Sequence, residues 1–348
     1  MRVGIAGAGA IAMGYSAMLL GRGHSAGVWS PSGGRTGDLL AGKPLTVAGA
    51  IEGEFHPDVY VSVTDLARVD VIILALPANG HRDVIDAIVP FIEPRHTVIF
   101  SGHLSFAGLY LKKCLAGRGI EIPIVVWNTT ALTCKAQAFN QVRVGTLRKT
   151  VSIAVEPARM AERGLAICIE LFGERFSLED DMLTITLSNL NPQSHLAIAL
   201  CNLTRFERGE NWGQRENITN VVGRLIEALD RERCVLATAL GKRVGTVFDH
   251  YENAFGIVGH SVAGMSAEQL RRGSDIAGPK TIDSRYVLED VPFGLVPLQY
   301  LADIAGVDLP LHRSGILILN ACYDRSFSLE NNLLPTIAAS DIKGFLAS

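Results

Sequence analysis

Residues 2–14 read RVGIAGAGAIAMG. Val3, Ile5 and Ala6 lie in a short apolar run suited to a buried strand, and Gly7, Gly9 and Ala12 occupy the three small positions of a G-x-G-x-x-A pattern. Gly7 allows a sharp turn out of the strand, Gly9 leaves the backbone open to a pyrophosphate, and Ala12 lets the next helix pack close to the sheet. A helix over Ala10–Arg22, closed by Gly21 and Gly23, would aim its free N–H groups and positive dipole end at the phosphates. A second strand near Ser25–Trp29 completes the expected unit. Two other readings compete. Arg2 and the apolar residues up to Leu20 could be a secretory signal peptide, but glycine at 4, 7, 9, 14 and 21 breaks up its apolar core and a strand pattern follows at once. A glycine-rich turn without a ligand is the other. The strand–turn–helix context favours a dinucleotide site, with Gly7, Gly9, Ala10, Ile11 and Ala12 as its contacts.

Working outward, the end of the second strand falls about 20 residues past the pattern, where an NAD-binding chain usually has an acid for the ribose hydroxyls. Here the sequence runs Ser30-Pro31-Ser32-Gly33-Gly34-Arg35. No carboxylate repels a 2′-phosphate, and two hydroxyls and a guanidinium can hold one. Ser30, Ser32 and Arg35 therefore point to NADP(H) in preference to NAD(H), although the segment is also simply a turn. Strand patterns recur at Val59–Val63, Val69–Leu76, His96–Phe100 and Ile122–Val126, alternating with helical ones at Arg82–Ile92 and Phe106–Leu115. That alternation means βαβ units and a doubly wound, mostly parallel α/β sheet of Rossmann type. Pro77 and Asn79 follow a strand at the carboxyl edge, where such sheets carry ligands. Val144–Val155 reads as one alternating, antiparallel-like strand, with Glu156-Pro157 opening a helix to Phe172.

With 348 residues the chain exceeds what one hydrophobic core supports, so two domains are expected, 1–186 and 187–348. A net charge of −3 and the absence of a long basic block argue against nucleic acid. No apolar run reaches the ~18 residues of a membrane span. The six cysteines form no C-x-x-C pair and no cluster with the nine histidines, which suggests free, mostly buried thiols, no metal, and a cytoplasmic setting.

Beyond Leu187 the apolar period becomes 3.6, so the second domain is expected to be all-helical. Asn191-Pro192 reads as cap and first-turn proline of a helix stopped by Gly209, and a longer helix runs from Ile218 to Leu240 before Gly241. Further helices fit Val296–Ala305 and Ile316–Tyr323. His195, in the first turn after Asn191-Pro192 and expected near the interdomain cleft, is the candidate proton carrier for hydride chemistry. The bland alternative is a capping or core histidine. Residues 283–294 read DSRYVLEDVPFG. Asp290 could hold the second imidazole nitrogen and Arg285 could clamp a carboxylate, or the run is a solvated charged turn.

The stretches N-x-x-x-H at Asn191–His195, R-Y-x-x-E-D-V at Arg285–Val291 and G-L-V-P-L at Gly294–Leu298 resemble the opine dehydrogenase family, which includes octopine, nopaline and N-(1-carboxyalkyl)-amino-acid dehydrogenases. Weaker likeness covers Ile218–Gly241, Ile276–Pro279, Leu74–His81 and Thr129–Lys135. The resemblance implies a catalytic dyad of His195 and Asp290, with Arg285 and Asn191 at the substrate. Cys134 is a further candidate to line the pocket. The resemblance implies a reductive condensation of a 2-oxo acid such as pyruvate with the amine of an amino acid, giving a secondary amine dicarboxylate, with NADPH expected from the Ser30–Arg35 turn; together with the apolar load of the helices it also implies a homodimer. Ser30 departs from the Asp of NAD-using members. Two alternatives stay open: a 2-oxo-acid or 2-hydroxy-acid reductase of the ketopantoate reductase or hydroxyisobutyrate dehydrogenase kind, relying on Lys280, and a non-catalytic NADP(H)-binding sensor.

Overall fold

The structure of the protein, a computed structural model, describes residues 1–346. By internal contacts the chain divides into two units, Met1–Thr186 and Leu187–Ser348. The first contains, in order, β1 (Arg2–Ala6), α1 (Ala10–Gly21), β2 (Ser25–Trp29), α2 (Gly37–Leu40), β3 (Leu45–Gly49), β4 (Gly53–Phe55), β5 (Asp58–Tyr60), α3 (Val63–Leu66), β6 (Val71–Leu74), α4 (His81–Ile88), β7 (Thr97–Phe100), α5 (Ala107–Ala116), β8 (Ile124–Trp127), β9 (Leu132–Ala138), β10 (Gln141–Leu147), β11 (Val151–Glu156), α6 (Ala161–Phe172) and β12 (Phe176–Leu178). A helix, α7 (Met182–Ser188), spans the boundary.

Eight strands form a sheet in the order β12-β11-β8-β7-β6-β1-β2-β5. All neighbours run parallel except β11 against β8. The central strands β6, β7 and β8 are buried at every residue, as strands covered on both faces must be. The chain leaves β1 towards β2 on one side and returns through β6 on the other, which puts the strand-order reversal at β1 and β6. Loops after these strands meet there, and open α/β sheets bind ligands at that point.

A second sheet, β4-β3-β10-β9, was not expected from the sequence. It explains two features. Residues 144–155 are not one strand, because β10 pairs with β9 and β3 while β11 joins the large sheet. Helix α1 is buried from Ala12 through Leu19, since β9 covers the side turned away from the large sheet: a Cβ on Gly14 would sit 3.0 Å from Leu132 and 3.3 Å from the Cys134 sulfur. A helix covered on both sides is apolar all round, and this produces the resemblance of residues 2–20 to a signal peptide. Elsewhere the expected elements stand with shifted ends. The strand expected over Val59–Val63 stops at Tyr60 and gives way to α3, whose Ser62 cap accepts the Asp65 N–H at 3.1 Å.

The second unit is helical: α8 (Asn191–Arg208), α9 (Asn220–Ala239), α10 (Val247–Phe255), α11 (Val262–Arg271), α12 (Arg285–Leu288), a π-helical turn at Val291–Leu295, α13 (Val296–Ala305), α14 (Pro310–Tyr323) and α15 (Ala339–Lys343). Gly209 closes α8 in the left-handed region, φ +66°, as its sequence position suggested. The cap differs. Asn191 is already helical and has no capping bond; instead the Asn189 side chain accepts the Asn191 N–H at 3.0 Å. Helices α10 and α11 were not anticipated. Arg233 of α9 is fully buried yet satisfied by the Asp230 carboxylate (2.7 Å), the Leu187 carbonyl (2.5 Å) and the Gly245 carbonyl (2.6 Å). A buried charge survives only with such a set of partners, and this one ties the start of the unit and the approach to α10 onto α9.

Candidate functional site

The first site is made of backbone. Gly7 turns out of β1 at φ +133°, and a Cβ there would lie 2.3 Å from the Ala75 carbonyl oxygen, so only glycine fits. Its N–H donates to the Trp29 carbonyl at 2.8 Å, bringing the end of β2 and the Ser30 turn beside the fingerprint. Gly9 is different: its φ is ordinary and nothing lies within 4 Å of where a Cβ would project. The first intrahelical bond of α1 is Met13 N–H to Gly9 C=O at 3.0 Å, and no side chain caps the helix. The N–H groups of Ala10, Ile11 and Ala12 therefore precede the helical ladder behind an open space. That arrangement fits a phosphate, by hydrogen bonding and by the helix dipole.

Beyond β2, Ser30 and Ser32 hydroxyls lie 3.3 Å apart, and Gly33 N–H closes the turn onto the Ser30 carbonyl at 2.9 Å. Arg35 is exposed and held at φ +64°, a region costly for a side chain and most often retained at functional sites. Pro77 and Asn79 are exposed just past β6, at the same sheet edge. Two buried histidines brace that edge. His81 bonds the Leu76 carbonyl at 3.2 Å, and burial pushes its ring down to about 4. His103 accepts the Gly108 N–H at 3.3 Å and faces the Thr186 hydroxyl at 3.3 Å; burial pushes it down to about 3, with a smaller contribution from His81. Cys134 sits in β9 with its sulfur against α1, and burial raises its thiol to about 11. That packing accounts for the residue without a ligand. The expectation of mostly buried cysteines fails: all are free, but only Cys168 is buried.

The second site is made of side chains. His195, one turn into α8, places Nδ1 2.5 Å from the Asp290 carboxylate, with both groups buried. The sequence separates them by 95 positions; the fold joins them through a glycine. A Cβ on Gly294 would sit 2.5 Å from Pro192, so only glycine lets the π-turn approach the first turn of α8 so closely. The turn leaves backbone groups to satisfy, and Asn331 donates to the Pro292 carbonyl at 2.8 Å. The run 283–294 is thus not a solvated turn: Val287, Asp290 and Val291–Leu295 are buried. Arg285 and Asn191 are exposed, and the Arg285 guanidinium forms no ion pair among the described residues.

Tyr286 was missed. Its ring stacks on His195 at 3.5 Å between centroids and 9° between planes, and its hydroxyl donates to Gln214 Oε1. Burial holds the phenol above its ordinary range, so it stays a donor. Also unanticipated is a second histidine–carboxylate pair, His312 Nδ1 to Glu232 at 2.7 Å, with Gln193 of α8 on its Nε2 at 3.3 Å. Burial raises the Glu232 carboxyl, but bonds from His312 and from the Leu311 and His312 N–H groups outweigh it and hold the group low. Lys280 is bound to Asn211 and adjoins neither histidine pair by any hydrogen bond. Trp212 and Tyr251 belong to the core, whereas Phe255 is exposed. Among the described residues no group of three metal-ligating side chains occurs, and no helix is long and apolar enough to cross a membrane.

The chain is similar to known proteins in sequence and in fold. Residues 178–323 match the family model of the NAD/NADP octopine/nopaline dehydrogenase alpha-helical domain. An opine dehydrogenase from Arthrobacter sp. (strain 1C) is 28% identical over 334 residues, covering 94% of this chain and 92% of the relative. Octopine dehydrogenase, solved with NADH and agmatine, superposes with a TM-score of 0.78 at 17% identity, over 93% of this chain and 90% of that one. Yersinopine dehydrogenase with NADP+ bound gives 0.72 at 16% identity, over 100% and 99%. Through the helical half by family model, and through nearly the whole length by sequence and fold, the chain resembles the opine dehydrogenases.

Proposed function

We propose that the protein is an opine dehydrogenase-type oxidoreductase that condenses a 2-oxo acid, such as pyruvate, with the amine of an amino acid and reduces the resulting imine to a secondary amine dicarboxylate. The observation that carries this reading is the buried His195–Asp290 pair, set in a chain that resembles opine dehydrogenases over most of its length. The nicotinamide cofactor supplies the hydride when bound, and the open space at Gly9 with the uncapped start of α1 fits its pyrophosphate. His195 takes a proton from the attacking amine and returns one to the departing hydroxyl, since imidazole gains and loses a proton near neutral pH. Asp290 holds the Nδ1–H tautomer, leaving Nε2 for the substrate. Arg285, without an ion-pair partner among the described residues, clamps a substrate carboxylate in the fork geometry suited to it. Asn191 offers its amide beside it.

The preferred cofactor is NADP(H). Ser30, Ser32 and the strained Arg35 support this, together with the lack of any acid between Trp29 and Thr36. Free cysteines support a reducing, cytoplasmic setting. Exposed Val221, Val235, Leu317 and Ile318 on the helical unit support a homodimer through it, which light scattering tests. The function itself is tested by following NADPH oxidation with 2-oxo acids alone and with amino acids added. Oxidation that requires both substrates is the expected outcome; full rates without any amine would make the chain a 2-oxo-acid reductase instead.

A further inference from the structure

A histidine held at one nitrogen can still pivot about that bond. The Nδ1 contact to Asp290 fixes one atom of the His195 ring and not the tilt of its plane, and a proton carrier that tilts loses aim. The second restraint is visible on the ring face. Tyr286 lies parallel to the imidazole, 3.5 Å away and 9° from coplanar. The tyrosine is itself fixed at three points. Its N–H bonds the Ser284 hydroxyl at 3.3 Å, its ring meets the edge of Phe206 at 74°, and its hydroxyl bonds Gln214. Gln214 in turn is tied by its N–H to the Ile276 carbonyl at 2.7 Å, next to the pairing of Gly213 with Ala277. A Cβ on Gly278 would fall 2.1 Å from Trp212, so the chain just after Ala277 is pressed against that indole.

We propose that Tyr286 is a positioning residue for His195, fixing the plane of the imidazole and stabilising its protonated form through the electron-rich face of the phenol ring. The inference rests on the proposed role of His195 for its bearing on catalysis, but not for the stacking itself. A cation over an aromatic face is attracted by the ring quadrupole, most strongly where water is excluded. One imidazole face and Nδ1 are then occupied, and Nε2 alone has no hydrogen-bond partner among the described residues. The proton leaves and returns along one direction.

The charged groups around the ring are few. Asp290 meets it from the π-turn and Tyr286 from α12. Arg285 and Arg215 act on the tyrosine through space, and Arg215 is engaged with Gln269, Asp275 and Ser274. From α9 and α14, Glu232 and His312 bind each other, and His312 alone meets Gln193, on another face of α8.

The test uses the full-length protein with isotope-labelled histidine, the His195 signal being identified by its loss in His195→Gln. Its titration is followed by NMR in wild type, Tyr286→Phe, Tyr286→Leu and Tyr286→pentafluorophenylalanine. The last keeps the ring size and reverses the charge of its face. The expected result is a midpoint in Tyr286→Phe within about 0.2 pH units of wild type, and midpoints in the leucine and pentafluoro proteins lower by about half a unit or more. Turnover falls about tenfold in Tyr286→Leu, is largely restored in Tyr286→Phe, and leaves the KM for NADPH unchanged. A pentafluoro protein that titrates like Tyr286→Phe overturns the proposal, whether or not the leucine variant folds. Because the titration is read in the free protein, it is decided separately from the catalytic role: unimpaired turnover in His195→Gln removes that role and leaves the stacking result standing.

Discussion

At Gly9 the fold keeps side chains away from a backbone; at His195 it closes side chains around one ring. The fingerprint turn needs nothing but two glycines, an alanine and a helix that starts without a cap. The helical site needs Asp290 on one nitrogen, Tyr286 on one face, and Gly294 to let the π-turn reach α8. A backbone site recognises a group common to many ligands and tolerates no added bulk. A side-chain site selects a proton position and tolerates no loss of a partner. Substitutions should therefore separate them, with binding failing at the first and turnover at the second.

The largest effect is expected at Asp290→Asn. The amide keeps the shape but favours the wrong imidazole tautomer, so kcat should fall by about 10²–10⁴ with NADPH affinity intact; a concurrent loss of cofactor binding would blur the separation. Within the fingerprint, the two glycines should part company. Gly7→Ala meets the Ala75 carbonyl at 2.3 Å in a positive-φ position and should lose about 2 kcal/mol or more of stability in urea unfolding. Gly9→Ala has open space before it and should lose no more than about 1 kcal/mol, as a poorer helix cap, while weakening NADPH binding about tenfold. Equal destabilisation at both positions would contradict the close-approach explanation. Next, Arg35→Ala should raise the Kd for NADPH about tenfold and leave that for NADH nearly unchanged, as one charge-assisted phosphate contact is removed. Parallel losses for both cofactors would rule out a 2′-phosphate contact.

A last prediction concerns the braced sheet edge. His81 and His103 are held near 4 and 3 in the folded chain, below the 6.5 of an exposed histidine. The unfolded chain therefore binds more protons between these values, and their contribution to stability is complete above about pH 6.5 and is lost as pH falls through that window. Urea unfolding should show a loss on the order of 1 kcal/mol per pH unit between about pH 6.5 and pH 4, shallower in His81→Asn. An unchanged slope in that variant would show that His81 is not titrating in this way.

The same contrast explains what could be read from the chain. Spacing encodes a backbone site, so Gly7, Gly9 and Ala12 were legible within one strand–turn–helix unit. His195 and Asp290 were named as candidates from residue type and place, and the resemblance of the stretches around them to a family implied their pairing; a separation of 95 positions carries no geometric signal. Tyr286 stood in the quoted stretch, yet nothing local says that its ring faces a histidine 91 positions away in number. The small second sheet went unread because Leu45–Gly49 and Gln141–Leu147 pair across most of the unit, and its β10 merged with β11 into one apparent alternation.

The most direct test of the account is turnover and NADPH binding in His195→Gln, measured on one preparation with a 2-oxo acid and an amino acid both present. The account requires wild-type affinity for NADPH and a kcat lower by about 10²-fold or more; a kcat within about tenfold of wild type would contradict it.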